Sequence, residues 1–185
     1  MKAPSDYNVY LGHTNISGHT PLDYLLDLFS VEAIIIHPEY SFKGIKNDIA
    51  LFRLKGTIDL DKLHRKVRCV CEPEPVDQLD TTKCRVMGWG STGKSQSSIL
   101  LEVPLPIQED AVCTRYYKPY TERLVCAGNV TGQGSCSGDS GGPLVCPVKG
   151  LPDVHSLAGL VSFRISDCVK KMEIQSSSVD APFSV

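Results

Sequence analysis

Ser140 lies in a glycine-rich stretch, Gly134 to Pro143, whose residue types suit a nucleophile; this stretch is named the nucleophile loop. A serine hydroxyl reacts as a nucleophile where it is exposed, where a base takes its proton and where donors stabilise the oxyanion that forms. Because Gly138, Gly141 and Gly142 lack Cβ atoms, the backbone can turn sharply and a substrate carbonyl can approach it. The pattern predicts acyl-transfer chemistry at Ser140, with the N–H groups of Gly138 and Ser140 as oxyanion donors. Taken alone, the motif is equally typical of a flexible turn.

The five residues from Gly138 to Gly142 also fit the G-x-S-x-G elbow of α/β-hydrolases. In that fold a helix follows the serine, and an acidic residue and then a histidine come later in the chain. Here the apolar run Leu144 to Cys146 follows, which predicts a strand. The one later histidine, His155, is too near to Ser140 to be the last of three catalytic residues. Chain order therefore excludes the elbow.

Short apolar runs separated by turn residues make up most of the chain and favour an all-β sandwich or barrel. A largely polar segment at 59–82 with two prolines predicts a connector between two halves. A short helix is predicted near 109–116. Strands are predicted at 7–12, 33–36, 49–54, 83–89, 98–106 and 157–163, and near Leu124 and Leu144.

The composition describes one sizeable globular domain or two small ones. The chain has 185 residues, of which 42% are hydrophobic and 22% charged, and a net charge of −2. This charge predicts no electrostatic attraction to nucleic acid or to a membrane surface, and no apolar run is long enough to span a bilayer. The histidines are scattered and no Cys/His cluster has metal-ligand spacing, so we expect no metal and no other cofactor.

Eight cysteines and two glycosylation sequons, at Asn15 and Asn129, are typical of an oxidising secretory environment. The segment Met1 to Asp6 lacks the apolar core of a signal peptide. We therefore expect a secreted, extracellular glycoprotein whose signal peptide is absent from this chain. Cysteines and sequons typical of a secreted protein, without a signal peptide, are the first indication of a truncated sequence.

Four further motifs accompany the nucleophile loop in a fixed order. They are Asn47-Asp48-Ile49-Ala50-Leu51, Cys84-Arg85-Val86-Met87-Gly88-Trp89-Gly90, Val125-Cys126-Ala127-Gly128 and Val161-Ser162-Phe163. Together they resemble the chymotrypsin/trypsin family of serine proteases, over residues 9 to 168. The resemblance implies an all-β fold of two antiparallel β-barrels, each six-stranded in the family, with the active site in the cleft between them.

The resemblance also implies how the chain divides. Residues 1–72 would be a remnant of the N-terminal barrel and residues 73–185 the C-terminal barrel, with a tail that diverges from the family after residue 168. We therefore expect both barrels to be incomplete, the second through loss of one strand and one wall of the specificity pocket.

Several residues receive roles from the resemblance. Ser140 becomes the nucleophile of an acyl-enzyme mechanism, and Asp48 the acid that orients a histidine base and stabilises its charged form. Ser162 is expected to support Asp48 through a hydrogen bond and, with Gly134 and Arg164, to belong to the specificity pocket. Gly134 lies at the floor of the specificity pocket, where an Asp would select Lys or Arg, so cleavage after Lys or Arg is disfavoured. Arg164, near the pocket entrance, either blocks the pocket, favours an acidic side chain or points into solvent.

Three disulfides are implied in the same way: Cys84 with Cys146, Cys113 with Cys126, and Cys136 with Cys168. Cys71 lies where activated family members often hold a cysteine bonded to their propeptide, and Cys69 where a proline is expected. A bridge between these two would close a very small, strained loop. At least one of them is therefore expected to be unpaired or to pair outside this chain.

Two features of the family are missing. Its general base lies in an Ala-Ala-His-Cys motif shortly before the strand at 7–12, and neither His13 nor His19 has that motif. Its N-terminal Ile-Val-Gly-Gly, whose amine would pair with Asp139, is absent as well. We therefore expect Asp139 to lack a partner and the nucleophile loop to be mobile, or the carboxylate to turn outward. His37, before Pro38, is expected to be structural.

Three interpretations remain open. The first is an incomplete chain of a secreted serine endopeptidase, which cleaves proteins or peptides and can be bound by protein protease inhibitors. The second is a catalytically inactive protease homologue that acts as a binding or regulatory module. The third is a fragment that does not fold stably. The chain as printed is expected to be nearly inert, because loss of the base alone costs about 10⁶-fold in turnover.

Overall fold

In this computed structural model the described residues are 3–18, 28–63, 67–71, 73–118, 123–128, 134–164 and 173–176. They contain one α-helix, α1 (Asp110–Tyr116), and short 3-10 turns at Pro4–Asp6, Val76–Gln78 and Thr81–Lys83. The strands are β1 (Asn8–Tyr10), β2 (Leu28–Ile36), β3 (Ala50–Leu54), β4 (Arg85–Gly88), β5 (Leu101–Pro104), β6 (Leu124–Ala127), β7 (Pro143–Val148), β8 (Leu151–Arg164) and β9 (Glu173–Ser176).

The first sheet consists of β1, β2 and β3 in that order, all antiparallel. The β-branched run at the end of β2 favours a pleated strand because its side chains pack well against cross-strand neighbours. Ile36 pairs with Ala50 at the end of this ladder, and the His37 N–H donates to the Ile49 carbonyl oxygen at 3.1 Å. This pairing fixes the backbone directly after Asp48.

The second sheet contains six antiparallel strands in the order β5-β4-β7-β8-β9-β6. An isolated bridge between Ile107 and Ala127 joins the chain after β5 to β6, so the two edges of the sheet approach each other. Strand β9 comes from the divergent tail and pairs with both β8 and β6. The prediction that this barrel would lack a strand is therefore wrong, because the tail provides one despite its unusual sequence.

The two antiparallel sheets confirm the predicted all-β class and are consistent with a double β-barrel of the chymotrypsin/trypsin type. The first barrel is incomplete among the described residues, since three strands represent it. The first sheet draws on residues 8–54 and the second on residues 85–176. The domain boundary between residues 72 and 73 lies between these ranges and stays a prediction.

The main core lies inside the second sheet, where side chains from several strands meet. Its buried members are Leu79, Cys84, Val86, Leu105, Val125, Ala127, Leu144, Cys146, Ala158 and Val161. Leu144 begins the buried part of β7, directly after the nucleophile loop. The loop is therefore attached to the best-packed part of the molecule.

Truncating a core side chain tests whether this packing holds a stable fold. Leu105 is fully buried, so Leu105→Ala is expected to lower the free energy of unfolding by about 2–5 kcal/mol through lost burial and a residual cavity. Leu151 is 55% exposed, and Leu151→Ala is the matched control with an expected change below about 0.5 kcal/mol. Urea titration of both variants measures the difference. Equal effects, or no cooperative transition in the parent, would contradict a packed native state.

Two disulfides link described residues, Cys84–Cys146 and Cys113–Cys126, and both are pairings that the family resemblance implies. The first joins the residue before β4 to β7 inside the core. Cys136 is disulfide-bonded as well, and its expected partner Cys168 lies outside the described residues. Cys69 and Cys71 are both exposed free thiols.

Candidate active site

The nucleophile loop presents Ser140 as an exposed residue in a tight turn before β7. The turn is closed by hydrogen bonds from the Asp139 N–H to the Cys136 oxygen, at 3.0 Å, and from the Gly142 N–H to the Asp139 oxygen, at 2.8 Å. Gly138 has a φ of +100° and Gly141 a φ of +81°, which glycine adopts at little cost. The glycines flanking Ser140 therefore serve the backbone geometry that the sequence predicted for an exposed nucleophile.

Among the described residues, the backbone N–H groups of Gly138 and Ser140 have no protein acceptor, and the same holds for Gly134 and Ser137 earlier in the nucleophile loop. The N–H groups of Asp139, Gly141 and Gly142 are bonded within the protein, since Asp139 and Gly142 close the turn and the Gly141 N–H donates to the Val161 oxygen at 2.8 Å. An amide left without an acceptor in an ordered turn is suited to bind an oxygen from outside the chain. Those of Gly138 and Ser140 are the predicted oxyanion donors.

Asp139 points inward and is half-buried. Its Oδ1 accepts the Gly90 N–H at 2.7 Å, and its Oδ2 accepts the Cys136 N–H at 2.8 Å. The carboxylate fits between Gly88 and Gly90 because neither has a side chain. A Cβ atom at Gly88 would lie 1.9 Å from Oδ1 and one at Gly90 would lie 2.2 Å from Oδ2.

This geometry corrects the expectation that Asp139 would lack a partner or turn outward. Backbone amides from the Gly-Trp-Gly segment and from the nucleophile loop itself donate to the carboxylate. Hydrogen bonds from N–H groups to an ionised oxygen are among the stronger ones in proteins, so they stabilise the inward orientation. The nucleophile loop is thereby attached to the end of β4.

Asp48 lies half-buried just before β3, and Ser162 on β8 contacts it. The Ser162 hydroxyl donates to Asp48 Oδ2 at 2.7 Å, which is the hydrogen bond expected from the sequence. The preceding residue, Val161, donates its N–H to the Gly142 oxygen at 2.9 Å and accepts from Gly141 at 2.8 Å. Two consecutive residues of one strand thus hold the nucleophile loop and the acid.

The loop before Asp48 is held to the second half of the molecule by two side chains that sequence reasoning missed. The Tyr117 hydroxyl donates to the Gly44 oxygen at 2.9 Å, and Arg123 Nη1 donates to Asn47 Oδ1 at 2.8 Å. Asn47 has a φ of +51° and donates its own Nδ2 to the Glu39 oxygen at 2.9 Å. These partners are more than 70 residues apart in sequence, so no local motif signals them.

The described histidines do not pair with the acid. His37 is buried and its Nδ1 accepts the Glu39 N–H at 3.0 Å, in keeping with the structural role expected for it. In the part of the chain that the structure describes, Ser162 is the one side chain that hydrogen-bonds Asp48. His19 and His64 lie outside the described residues. Among the described residues there is therefore no general base that hydrogen-bonds Asp48.

Further predicted site residues are Gly134, Arg164 and Asn129, and the structure describes them in part. Gly134 is half-buried before the buried Ser135, at the start of the nucleophile loop. The backbone of Arg164 ends β8 opposite Glu173, but its side chain lies outside the described atoms, as does all of Asn129. Across the described ranges there is no group of three His, Cys, Asp or Glu side chains placed to hold a metal ion, and no helix long and apolar enough to cross a bilayer.

An exposed serine in a glycine turn, an acid supported by a second serine and two antiparallel sheets together define the class of double-barrel serine hydrolases. The family model described as Trypsin matches residues 1–179, and the chain therefore belongs to the trypsin family of serine proteases.

Individual relatives are consistent with that family. The chain is 35% identical over 143 residues to the inactive CLIP domain-containing serine protease A8 of Anopheles gambiae, covering 72% of this chain and 38% of that protein. It is 37% identical over 141 residues to phenoloxidase-activating factor 3 of Holotrichia diomphalia, covering 72% and 39%. It is also 37% identical over 146 residues to the atrial natriuretic peptide-converting enzyme of Mus musculus, covering 77% and 13%. The chain thus spans less than two fifths of the length of these curated relatives.

Proposed function

We propose that this chain is part of a secreted serine endopeptidase that cleaves proteins or peptides through an acyl-enzyme. The observation that carries the proposal is the pair of contacts at Val161 and Ser162. Val161 binds the nucleophile loop through its backbone, and Ser162 donates to Asp48. Because the two contacts come from consecutive residues, the acid and the loop that bears Ser140 are held at one point of β8. The two disulfides support an oxidising location such as the secretory pathway.

In the proposed reaction, Ser140 Oγ attacks the scissile carbonyl carbon while a histidine takes its proton. The oxygen that becomes negative is bound by the N–H groups of Gly138 and Ser140. The peptide C–N bond then breaks, the histidine gives its proton to the leaving amine, and water hydrolyses the acyl-enzyme in the same manner. Asp48 orients the histidine and stabilises its charged form. We propose that this histidine belongs to a part of the protein outside these 185 residues, since the chain spans less than two fifths of the length of the curated relatives.

For specificity, we propose that cleavage does not favour Lys or Arg. Gly134, at the position of the pocket floor, carries no charge to pair with a basic side chain. Arg164 at the entrance would favour an acidic side chain if it faces the pocket. Protein protease inhibitors that fill the same cleft are further proposed partners. Asn15 and Asn129 are proposed glycosylation sites of the secreted protein.

A second candidate is a catalytically inactive homologue that binds or regulates other proteins. Two relatives are named inactive CLIP domain-containing serine proteases, and one of them, A28 of Anopheles gambiae, is 33% identical over 143 residues. Against this alternative, the present chain has Ser140 on an ordered turn and Asp48 bonded to Ser162. Neither arrangement is needed for binding alone.

A fluorophosphonate probe separates the two candidates because it reacts with an activated serine. We expect the native full-length protein to be labelled at Ser140, as read by peptide mass spectrometry, and Ser140→Ala to abolish labelling. Residues 1–185 alone should be labelled far more slowly, since a missing base costs about 10⁶-fold in turnover. Native protein that unfolds cooperatively but shows no labelling would support the inactive homologue instead.

A further inference from the structure

Asn15 lies in an exposed turn with Ser17, the third residue of its sequon. Asn15 Oδ1 accepts two hydrogen bonds from Ser17, from the backbone N–H at 2.9 Å and from the hydroxyl at 2.8 Å. Both bonds span two residues, so the turn depends on local geometry and can form in a nascent chain. The hydroxyl that defines the sequon is therefore in contact with the amide group that would be modified.

Ile99 lies directly opposite Asn15 across a short antiparallel pairing. The Ile16 N–H donates to the Ser98 oxygen at 2.7 Å and the Leu100 N–H donates to the Thr14 oxygen at 2.6 Å. These bonds flank the pair, so Asn15 and Ile99 form a non-hydrogen-bonded pair, whose Cα atoms are about 4.5 Å apart in such ladders. Side chains of an opposed pair project from the same face and contact each other.

Two exposed apolar side chains lie near Asn15. Ile99 is 56% exposed, and Leu101, two residues further along the same face, is 43% exposed. Residues 12–18 and 95–101, which include Asn15 and these two side chains, contain no Asp, Glu, Lys or Arg. A ligand with an apolar face can cover these two side chains, and a pyranose ring has such a face in its C–H groups.

We propose that Asn15 carries an N-linked glycan whose first sugar lies on Ile99 and Leu101 and shields them from water. The donor is an oligosaccharide on a diphospholipid. The bond from sugar C1 to Asn15 Nδ2 forms, the bond from C1 to the diphosphate oxygen breaks with its electron pair on the lipid diphosphate, and one Nδ2 proton passes to a base of the transferase. This proposal rests on the secretory location given under the proposed function, but not on catalysis.

The first experiment locates the glycan. The full-length protein is secreted from a eukaryotic host, treated with a peptide N-glycosidase in ¹⁸O water, and its peptides are read by mass spectrometry. We expect Asn15 to be converted to ¹⁸O-labelled Asp. Ser17→Ala should abolish the modification, whereas the matched variant Ser17→Thr retains the hydroxyl and should keep it. Unmodified Asn15 in secreted protein would overturn the proposal.

The second experiment tests contact between the sugar and the apolar surface. Thermal midpoints are compared with and without the glycan, the latter as Asn15→Gln and as Ser17→Ala, in the parent and in Ile99→Ser. We expect the glycan to raise Tm by about 2–4 °C in the parent. In Ile99→Ser the gain should fall below half of that value. Equal gains in both backgrounds would overturn the shielding role.

Fluorophosphonate labelling of Ser140 in the same samples keeps this test distinct from that of the proposed function. A labelled protein without a glycan contradicts only the glycan. A glycosylated but unlabelled protein contradicts only the catalytic proposal.

Discussion

Asp48→Asn in the active full-length protein is expected to lower kcat about 10⁴-fold, with little change in KM. An asparagine fills the same space and can accept the Ser162 hydroxyl through its Oδ1 atom. It has no charge, so it cannot stabilise the histidine as an imidazolium, and its amide favours the wrong tautomer of the ring. Steady-state kinetics on a peptide ester substrate, with a thermal transition as a check of folding, measures this loss.

Ser162→Ala is expected to lower kcat less than Asp48→Asn does. The Ser162 hydroxyl donates to a carboxylate, and such a bond is worth about 1.5–3 kcal/mol, so its loss corresponds to roughly a 10- to 100-fold decrease in kcat. Ser30→Ala, at an exposed position of β2 in the first sheet, is a matched control with no expected effect. A folded Asp48→Asn variant with near-parental kcat would show that Asp48 is not the catalytic acid.

The candidate residues that could be predicted from sequence are those within short contiguous motifs. Asp48 lies just before a recognisable strand, Ser140 lies in a glycine-rich turn, and Ser162 follows a fixed apolar run. The family resemblance of each motif predicts what its residue contacts. The bond between Ser162 and Asp48 could therefore be predicted although the two residues are 114 positions apart in sequence. The disulfides illustrate the same point, because eight cysteines allow 105 pairings by spacing alone.

Contacts made by backbone groups could not be predicted in this way. The donors to Asp139 are the N–H groups of Gly90 and Cys136, which any residue but proline carries. The family motif implies a charged partner for Asp139 that this sequence lacks, although two amides donate to its carboxylate instead. Strand β9 was missed for a related reason: its pairing is supplied by β8 and β6, and strand propensity depends strongly on such neighbours.

Catalysis in this family needs both an ordered nucleophile loop and a general base, and the contacts around Ser140 bear on the first of these alone. Ordering of the nucleophile loop here uses groups within the described chain, namely the amides that bind Asp139 and the Val161 backbone. General-base catalysis needs a histidine next to Asp48, which the described residues do not contain. The oxyanion site and the base can therefore be tested independently of each other.

Gly90→Ala is expected to disorder the oxyanion site while leaving the contact between Asp48 and Ser162 in place. The new Cβ would lie 2.2 Å from Asp139 Oδ2 and 2.4 Å from its Cγ, far inside van der Waals contact. The carboxylate must leave the space between Gly88 and Gly90 and lose its bonds to two amides. Loss of one oxyanion donor costs about 10²–10³-fold in kcat, and we expect at least that decrease.

Gly93→Ala separates this effect from backbone strain. Gly93 has a φ of +87° and no atom within 4 Å of an added Cβ, so its substitution strains the backbone without touching Asp139. We expect it to reduce stability by about 1–2 kcal/mol and to leave kcat near the parental value. A comparable loss of kcat in both variants would contradict the role given to Gly90.

The double variant Gly90→Ala with Asp139→Ala tests whether the clash between the new methyl group and the Asp139 carboxylate causes the loss of kcat. Without a carboxylate between the glycines, the added methyl group has space, so Gly90→Ala should cost little more than Asp139→Ala alone. Coupled residues in contact give such non-additive effects, with interaction energies of about 0.5–3 kcal/mol. Thermal midpoints and kcat of the four members of the cycle measure the coupling. Additive losses would mean that Gly90 acts through some route other than Asp139, and the ordering of the nucleophile loop would then need a different explanation.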